Sequence, residues 1–258
     1  MNLLAADIVE RFYTFLWPML RISALMVTAP LFSMSAFSVR LRVVFAMVLA
    51  WFIYPLHKWP LIDPVSAQGL VEIFNQLTIG AAMGLMLQVV VAALVVAGQA
   101  ISTSMGLSMA SLLDPNMGNV PVLAQFFMVL SMLIFVGFGG HAILLGIVSD
   151  SFASMPIGTS ILSQQSYGEM LRWSSMMFLG AVLLALPVMV TLLFINMGLG
   201  IITRAAPSLN IFAVGLPALI LTGFLVLMIS MESVGGRMEW MWVQGFGHLR
   251  TLVGVRGG

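Results

Sequence analysis

Few residues of this chain have the types and spacing that catalysis requires. The three histidines, His57, His141 and His248, are far apart in the sequence, and there is no cysteine to supply a thiolate. A zinc site needs a closer set of ligands. The sequence also lacks the GxxxxGK[ST] loop that holds nucleotide phosphates, the GxSxG motif of serine hydrolases, and an aspartate pair within apolar helices. We therefore predict a protein that is not an enzyme and binds no metal or cofactor.

Methionine has a more informative distribution. The chain contains 22 methionines, and three of them cluster with glycines, serines and prolines in the segment 102–121. Because methionine is unbranched and polarisable, such a cluster could form a flexible hydrophobic seal that yields to a passing polypeptide. Composition leaves two possibilities open, a surface loop and a plug or constriction within a pathway. The residues of this candidate plug are Met105, Gly106, Met109, Leu112, Asp114, Pro115 and Met117.

A second unusual segment runs from Arg204 to Pro217 and reads RAAPSLNIFAVGLP. It places helix-breaking residues between two long uncharged apolar runs, where lipid cannot satisfy a freed backbone group. Proline cannot continue the preceding helix, and Asn210 is a residue type that caps a new one. We expect a sharp hairpin with Arg204 at its tip and a kink in the second helix near its start; the alternative is an ordinary helix-turn-helix joint. The candidate hairpin residues are Arg204, Pro207, Asn210, Phe212, Gly215 and Pro217.

Two further features indicate contacts between helices. Gly80 and Gly84 form a GxxxG pattern, which allows two helix backbones to approach closely in a membrane. Arg21 is the only charged residue inside the first apolar segment, and a charge at such a position often has a partner. Glu72 and Glu232 are candidate partners, and the alternative is that the Arg21 side chain snorkels to the surface.

The composition restricts the class of protein that can hold these residues. Of the 258 residues, 61% are hydrophobic and only 7% are charged. Roughly a quarter of the residues in soluble domains are charged, so this chain cannot cover a globule with solvated side chains. The formal net charge of +1 and the lack of a basic stripe argue against a nucleic-acid partner. The chain is therefore an integral membrane protein or a subunit buried in a larger apolar assembly.

Long uncharged stretches predict an all-α membrane protein, because about 20 apolar residues cross the hydrocarbon core as a helix. The second of the predicted segments is short for a span, since charged residues flank it closely; it could be half of a re-entrant pair or be covered by protein. The six predicted segments are 12–33, 41–57, 70–101, 122–149, 173–203 and 211–233.

The motif Arg204–Pro207 followed by Asn210–Pro217 closely resembles that of the FliR-type flagellar export-apparatus proteins, whose counterparts in virulence injectisomes are the SctT/SpaR proteins. Pro30-Leu-Phe32, Asp114-Pro115 and Gly139-Gly140-His141 also match the family. With the chain length and the six apolar segments, the resemblance covers essentially the whole sequence. The form NIFAVGLP is more similar to the flagellar than to the injectisome branch.

The resemblance implies a function that composition cannot show. FliR-type proteins join FliP and FliQ in the core export gate of type III secretion, in the bacterial inner membrane at the flagellar basal body. FlhB-like and FlhA-like subunits are further implied partners, together with membrane lipid and unfolded protein substrates. The family fold implies a FliP-like part over 1–170, with its plug in 102–121, fused to a FliQ-like helical hairpin over 171–258.

A secondary transporter is the alternative function. Transporters also use interrupted helices near the middle of the membrane. They usually have an inverted repeat and more ionisable residues within their helices, and neither feature is evident in this sequence. The sequence therefore favours an export-gate subunit that catalyses no reaction.

Overall fold

The computed structural model describes residues 2–33, 37–107, 122–159, 162–205 and 211–255, and all regular structure within these ranges is helical. A 3-10 turn, Tyr54–Leu56, extends the third helix. The predicted all-α fold is confirmed. The helices are α1 (Asn2–Thr28), α2 (Pro30–Ser33), α3 (Val39–Ile53), α4 (Ala67–Ser104), α5 (Val122–Gly137), α6 (Gly140–Ser154), α7 (Gln164–Ser174), α8 (Met176–Ala205) and α9 (Ile211–Leu252).

Some of these helices are long and apolar enough to cross a membrane. Four stretches of the described residues qualify as spans, and α5 together with α6 would be a fifth if this pair acts as a single span. The short α3 is among the candidates, whereas α1 is not. The membrane class is therefore supported, and the exact set of six apolar segments remains a prediction. The four candidate spans are Val39–Leu56, Ala67–Ser104, Gln164–Ala205 and Gly215–Leu252.

The predicted segment 122–149 is broken in its middle. Its two helices, α5 and α6, are bent by 68° at a short break. Gly139 has a φ of +76°, which is a left-handed conformation that glycine adopts without a Cβ clash. Its carbonyl oxygen then accepts the first bond of α6 from Ala142 N–H at 2.9 Å. The sequence showed the glycine pair but not that it would reorient the chain.

The chain packs as two compact units, each drawn from separate stretches of sequence. Helices α4 and α9 contribute to both. The predicted division at residue 170 concerns the relationship to FliP and FliQ, and it remains a prediction. Unit 1 consists of Met1–Val89, Gly139–Ser174 and Val243–Gly258, and unit 2 of Val90–Phe138 and Ser175–Trp242.

In unit 1, α4 lies directly against the backbone of α1 at two glycines. A Cβ on Gly80 would overlap the carbonyl oxygen of Arg21. A Cβ on Gly84 would overlap the hydroxyl of Thr28 and lie 2.7 Å from the backbone nitrogen of Ala29. Only glycine allows the two helix backbones to come this close. The structure thus places the predicted packing residues at a contact whose partner, α1, the sequence did not identify.

The same helix pair encloses Arg21, which is fully buried. Its Nε donates to Oε1 of Gln76 at 2.7 Å. Its Nη1 donates to the carbonyl oxygen of Ser151 at 2.8 Å and to the hydroxyl at 3.0 Å, and its Nη2 donates to the carbonyl oxygen of Met155 at 2.8 Å. The guanidinium carbon lies 4.3 Å from the ring centroid of Phe152. Arg21 therefore caps the C-terminal end of α6, where a cation also complements the helix dipole.

Glu72 supplies the negative charge that balances Arg21, and the side-chain amide of Gln76 lies between the two. Gln76 Nε2 donates to Glu72 Oε1 at 2.5 Å while its oxygen accepts from Arg21. Glu72 is itself buried. Of the alternatives left open by the sequence, snorkelling of Arg21 is wrong, and Glu72 rather than Glu232 shares its site. The direct partner, Gln76, was not foreseen.

In unit 2, an arginine compensates for a proline within an apolar helix. Pro187 lies inside α8 and has no N–H to donate to the carbonyl oxygen of Leu183, four residues earlier. Nη1 of Arg237, on α9, donates to that same carbonyl oxygen. The pairing ties α8 to α9 and satisfies a backbone group that lipid could not satisfy.

A second contact in unit 2 joins α5 to α9. The indole N–H of Trp242 donates to the hydroxyl oxygen of Ser131 at 2.8 Å, and both residues are fully buried. The ring of Phe135 lies 4.6 Å from that of Trp242, centroid to centroid. On the neighbouring α4, a Cβ on Gly98 would lie 2.6 Å from Cα of Ala124, so α4 and α5 also touch backbone to backbone.

Replacing Gly80 tests the close approach of α1 and α4. We expect Gly80→Ala to lower stability by about 1–3 kcal/mol or more, because the added methyl group overlaps backbone that cannot move independently. The measurement is thermal unfolding of the purified chain in detergent. Gly146→Ala on α6 is the matched control, since a Cβ there meets nothing within 4 Å. Equal unfolding temperatures for the two variants would contradict the proposed contact.

Replacing Arg21 tests the buried polar network. We expect Arg21→Met to destabilise the chain by about 3–5 kcal/mol, because it leaves Glu72 buried without its cation. Adding Glu72→Gln should recover part of this loss, with a coupling energy of about 1 kcal/mol or more. Arg40→Met, at an exposed position on α3, should change stability by less than about 0.5 kcal/mol. Equal losses of stability in the Arg21→Met and Arg40→Met variants would show that the buried network does not stabilise the chain.

Candidate functional site

The candidate plug segment begins at the C-terminal end of α4, and hydrogen bonds define that end. The N–H of Gly106 donates to the carbonyl oxygen of Thr103 at 3.0 Å, and the N–H of Leu107 donates to that of Ser102 at 3.1 Å. Gly106 has a φ of +77°. This bond pair with a left-handed glycine is the Schellman motif, which terminates a helix and satisfies its last carbonyl groups. The chain therefore leaves α4 at a well-defined point.

Met105, the last residue before this turn, is fully buried in unit 2. Its side chain occupies the space left by Gly223 of α9. A Cβ on Gly223 would lie 2.6 Å from both Cγ and Cε of Met105 and 2.9 Å from its sulfur. The thioether thus fits against bare helix backbone, and any side chain at position 223 would displace it.

Gly106 contacts α9 about two turns closer to the start of that helix. A Cβ on Gly106 would lie 2.9 Å from Cδ2 of Leu216. Leu216 belongs to the stretch 204–217 that the sequence marks as unusual. The structure therefore brings the start of the candidate plug and the end of the candidate hairpin into contact, although the two were predicted separately.

An apolar groove between α4 and α8 adjoins this contact. Its volume is about 500 Å³, and it extends along α4 to Ser104, the residue before Met105. The lining includes Val96 and Ala100 on α4 and Phe178 and Met189 on α8. Such a lining accommodates apolar groups and offers almost nothing to a hydrated ion.

Comparison with known proteins decides the family. Residues 12–244 match the family described as bacterial export proteins, family 1. Flagellar biosynthetic protein FliR of Pectobacterium carotovorum subsp. carotovorum is 32% identical over 248 residues, which cover 96% of this chain and 95% of the relative. FliR of Escherichia coli K12 is 32% identical over 93% of this chain and 92% of the relative. FliR of Bacillus subtilis 168 is 29% identical over 88% of this chain and 90% of the relative.

The chain belongs to the FliR family of bacterial export proteins. The resemblance inferred from residues 204–217 is confirmed, and with it a role in flagellar biosynthesis and protein export. As a FliR-family protein, the chain belongs to the flagellar export apparatus, which implies partner subunits.

Within this FliR-family chain, most of the candidate plug lies outside the described residues. Met105 and Gly106 are placed as above, and their assignment to a plug remains a prediction. The others, Met109, Leu112, Asp114, Pro115 and Met117, fall in the segment 108–121, which the structure does not describe.

The candidate hairpin residues are only partly described. Arg204 is exposed in the last turn of α8, where its charge complements the helix dipole. Gly215 is buried and Pro217 exposed, both inside α9, which runs unbroken from Ile211 to Leu252. The expected kink near Pro217 remains a prediction. Pro207 and Asn210 lie outside the described residues, as does the side chain of Phe212.

One polar pair of this FliR-family chain escaped sequence reasoning. Nδ1 of His248 and Oε1 of Glu169 are 2.5 Å apart in unit 1, and the Trp173 ring stacks on the imidazole with centroids 4.4 Å apart. The two residues are separated by most of α7, all of α8 and most of α9, so no local pattern could have linked them. Among the described residues, no group of three His, Cys, Asp or Glu side chains could hold a metal ion.

A double-mutant cycle tests the Met105–Gly223 contact. We expect Gly223→Ala to destabilise the chain by about 1–3 kcal/mol through overpacking, and Met105→Ala to do so by about 2–5 kcal/mol through the cavity it leaves. The double variant should be more stable than the sum predicts, by about 1 kcal/mol or more, because the alanine at 223 fills part of the vacated space. Thermal unfolding in detergent provides all three values.

Gly236→Ala is the control for this cycle. Gly236 also lies on α9, and a Cβ there meets nothing within 4 Å. This variant should be neutral or stabilised by up to about 1 kcal/mol, because alanine favours the helix. Strict additivity of the substitutions at 105 and 223 would show that the two residues do not share the space.

Proposed function

We propose that this FliR-family chain is a subunit of the flagellar protein export gate. With FliP-type and FliQ-type subunits it forms the channel through which unfolded flagellar proteins are secreted. FlhB-type and FlhA-type subunits are its further partners, and the complex lies in the bacterial inner membrane at the flagellar basal body. The chain catalyses no reaction and uses no cofactor.

The seating of Met105 on Gly223 supports this role most directly. A seal for an unfolded polypeptide needs a fixed base and a deformable apolar tip. The Schellman turn at Gly106 provides the base, since it ends α4 at a defined residue beside α9. Methionine provides the deformable part, because its thioether can re-pack against changing surfaces. The segment 108–121, which follows directly, carries Met109 and Met117.

The assignment of chain parts follows from the same proposal. Residues 1–170 are the FliP-like part, and 171–258 are the FliQ-like helical hairpin. Helix α8 ends at Ala205 and α9 begins at Ile211, so the motif shared with the family lies at the junction of these two helices. The bond from Arg237 to Leu183 holds the two helices of this hairpin side by side.

Exposed apolar side chains indicate that lipid or partner subunits cover the chain. Phe194 on α8 is 67% exposed, and Met228 and Ile229 on α9 are each 77% exposed. Many other large apolar side chains of α8 and α9 are also exposed, and soluble monomers rarely expose large apolar patches. Helical partners with apolar surfaces of their own, as expected in an export gate, would cover it.

Purification with partner subunits tests the proposal. The tagged chain should co-purify with the FliP-type and FliQ-type subunits of the same bacterium as one stable complex when all three are co-expressed. A chain that instead purifies as an independent monomer and carries out small-solute transport would favour the secondary transporter. The bend between α5 and α6 is the feature that such a transporter would share.

Ion conductance of the assembled complex tests the plug. Deleting part of 106–116 should make membranes that contain the complex leak ions, because the seal is lost. Unchanged conductance in a fully assembled complex would contradict a plugging role for the segment 102–121. The Gly236→Ala complex is a suitable control for assembly and background leak.

A further inference from the structure

A cavity of about 510 Å³ in unit 1 lies between α1 and α3, away from the candidate plug residues in sequence. The two helices run antiparallel, since Phe15 of α1 faces Tyr54, while Ser33, at the end of the short α2 that follows α1, accepts a hydrogen bond from Arg42 near the start of α3. The lining is four aromatic side chains, one proline and one cation. These residues are Arg11, Phe12, Phe15, Trp51, Tyr54 and Pro55.

The cavity lies at the end of a candidate membrane span. The stretch Val39–Leu56 is one of the apolar spans, and Trp51 and Tyr54 lie in its last two turns. His57, Lys58 and Trp59 follow directly in the sequence. Tryptophan, tyrosine and basic residues are enriched where a span meets the lipid headgroups. A cavity with this lining, at the end of an apolar stretch, suits the part of a phospholipid where the acyl chain meets the headgroup.

Its aromatic wall is held in place by bonds within the protein. The hydroxyls of Tyr54 and Thr14 are 2.7 Å apart, and the Tyr54 ring stacks on Trp59 at 6.0 Å between centroids. Trp59 in turn donates its indole N–H to the carbonyl oxygen of Tyr54 at 2.7 Å. In contrast, Trp51 is 73% exposed and Phe12 62% exposed. Tyr54 is thus held by bonds within the protein on one side of the cavity, whereas Trp51 and Phe12 leave its mouth open to a ligand.

The charges at the mouth occur in a defined order along α1. Arg11 is exposed and forms no ion pair with any residue that the structure describes. Asp7 lies one helical turn further out, about 6 Å along the axis, and Glu10 is the residue next to Arg11; both are exposed. A cation is therefore close to the aromatic wall, and carboxylates are beside and beyond it.

We propose that this cavity binds one zwitterionic glycerophospholipid with an ethanolamine headgroup. The guanidinium of Arg11 binds the phosphate, for which arginine offers paired N–H donors. The ammonium group lies next to Asp7, and an acyl chain follows Phe15 and Trp51 into the cavity. The order of carboxylate, guanidinium and aromatic ring along α1 matches the order of ammonium, phosphate and acyl chain in such a lipid. Asp7 and Glu10 disfavour a headgroup with a net negative charge.

Native mass spectrometry of the purified full-length chain tests the proposal. The chain, released from detergent, is exposed to synthetic phosphatidylethanolamine or to phosphatidylglycerol with the same acyl chains. We expect one retained phosphatidylethanolamine, bound more tightly than phosphatidylglycerol. Arg11→Gln should weaken its retention about tenfold, as expected for the loss of a charge-assisted hydrogen-bond pair. Arg40→Gln, an exposed arginine at the other end of α3, should leave it unchanged.

A second pair of variants tests the acyl-chain position. Trp51 and Phe52 are adjacent on α3 and similarly exposed, at 73% and 68%, but only Trp51 lines the cavity. Trp51→Ala should reduce lipid retention, and Phe52→Ala should not. Equal effects at 11 and 40, equal effects at 51 and 52, preference for phosphatidylglycerol, or no retained lipid would each overturn the proposal. Because lipid retention is measured on the chain alone, a failure of the lipid proposal is distinct from a failure of the chain to co-purify with export-gate subunits.

Discussion

Polar groups that this apolar chain buries must find hydrogen-bond partners inside the protein, because neither aliphatic side chains nor lipid can supply them. Arg21 meets this constraint by capping the last carbonyl groups of α6 while sharing Gln76 with Glu72, so that one guanidinium joins α1, α4 and α6. Arg237 meets it by donating to the carbonyl group that Pro187 leaves without a partner. In both places an arginine completes helix backbone that would otherwise be unsatisfied. With only 7% charged residues, the chain uses two of its few charges as structural parts.

Glycine contacts have two different consequences in the two units. In unit 1, Gly80 and Gly84 lie against backbone and short side-chain atoms of α1, which cannot adjust without moving the whole helix. In unit 2, Gly223 lies against the thioether of Met105, whose rotatable bonds allow other arrangements. The first kind of contact suits a fixed frame. The second suits a surface that must be displaced and then restored, as the proposed export gate requires.

Sequence reasoning succeeded where the cause is local. The glycine spacing at 80 and 84 predicted a helix contact, and both glycines lie against α1 in the structure. It failed where the cause is a distant residue. Nothing near Arg21 indicates Gln76 as its partner, and nothing near Glu169 indicates His248. The apolar run 122–149 gave no measure of the bend at Gly139, because the sequence is apolar on both sides of it.

The sequence by itself determined the class of this protein, since its apolar composition excludes a soluble globule and the motif at 204–217 marks the FliR family. It located only some helix ends: the segment predicted over 211–233 begins with α9 at Ile211, but α9 continues to Leu252. Only the tertiary structure decided which helices lie together and which side chains share a site. Met105 and Gly223 show the reason: they are 118 positions apart in the sequence, and their fit depends on the shape of two helix surfaces, which no local pattern of residue types encodes.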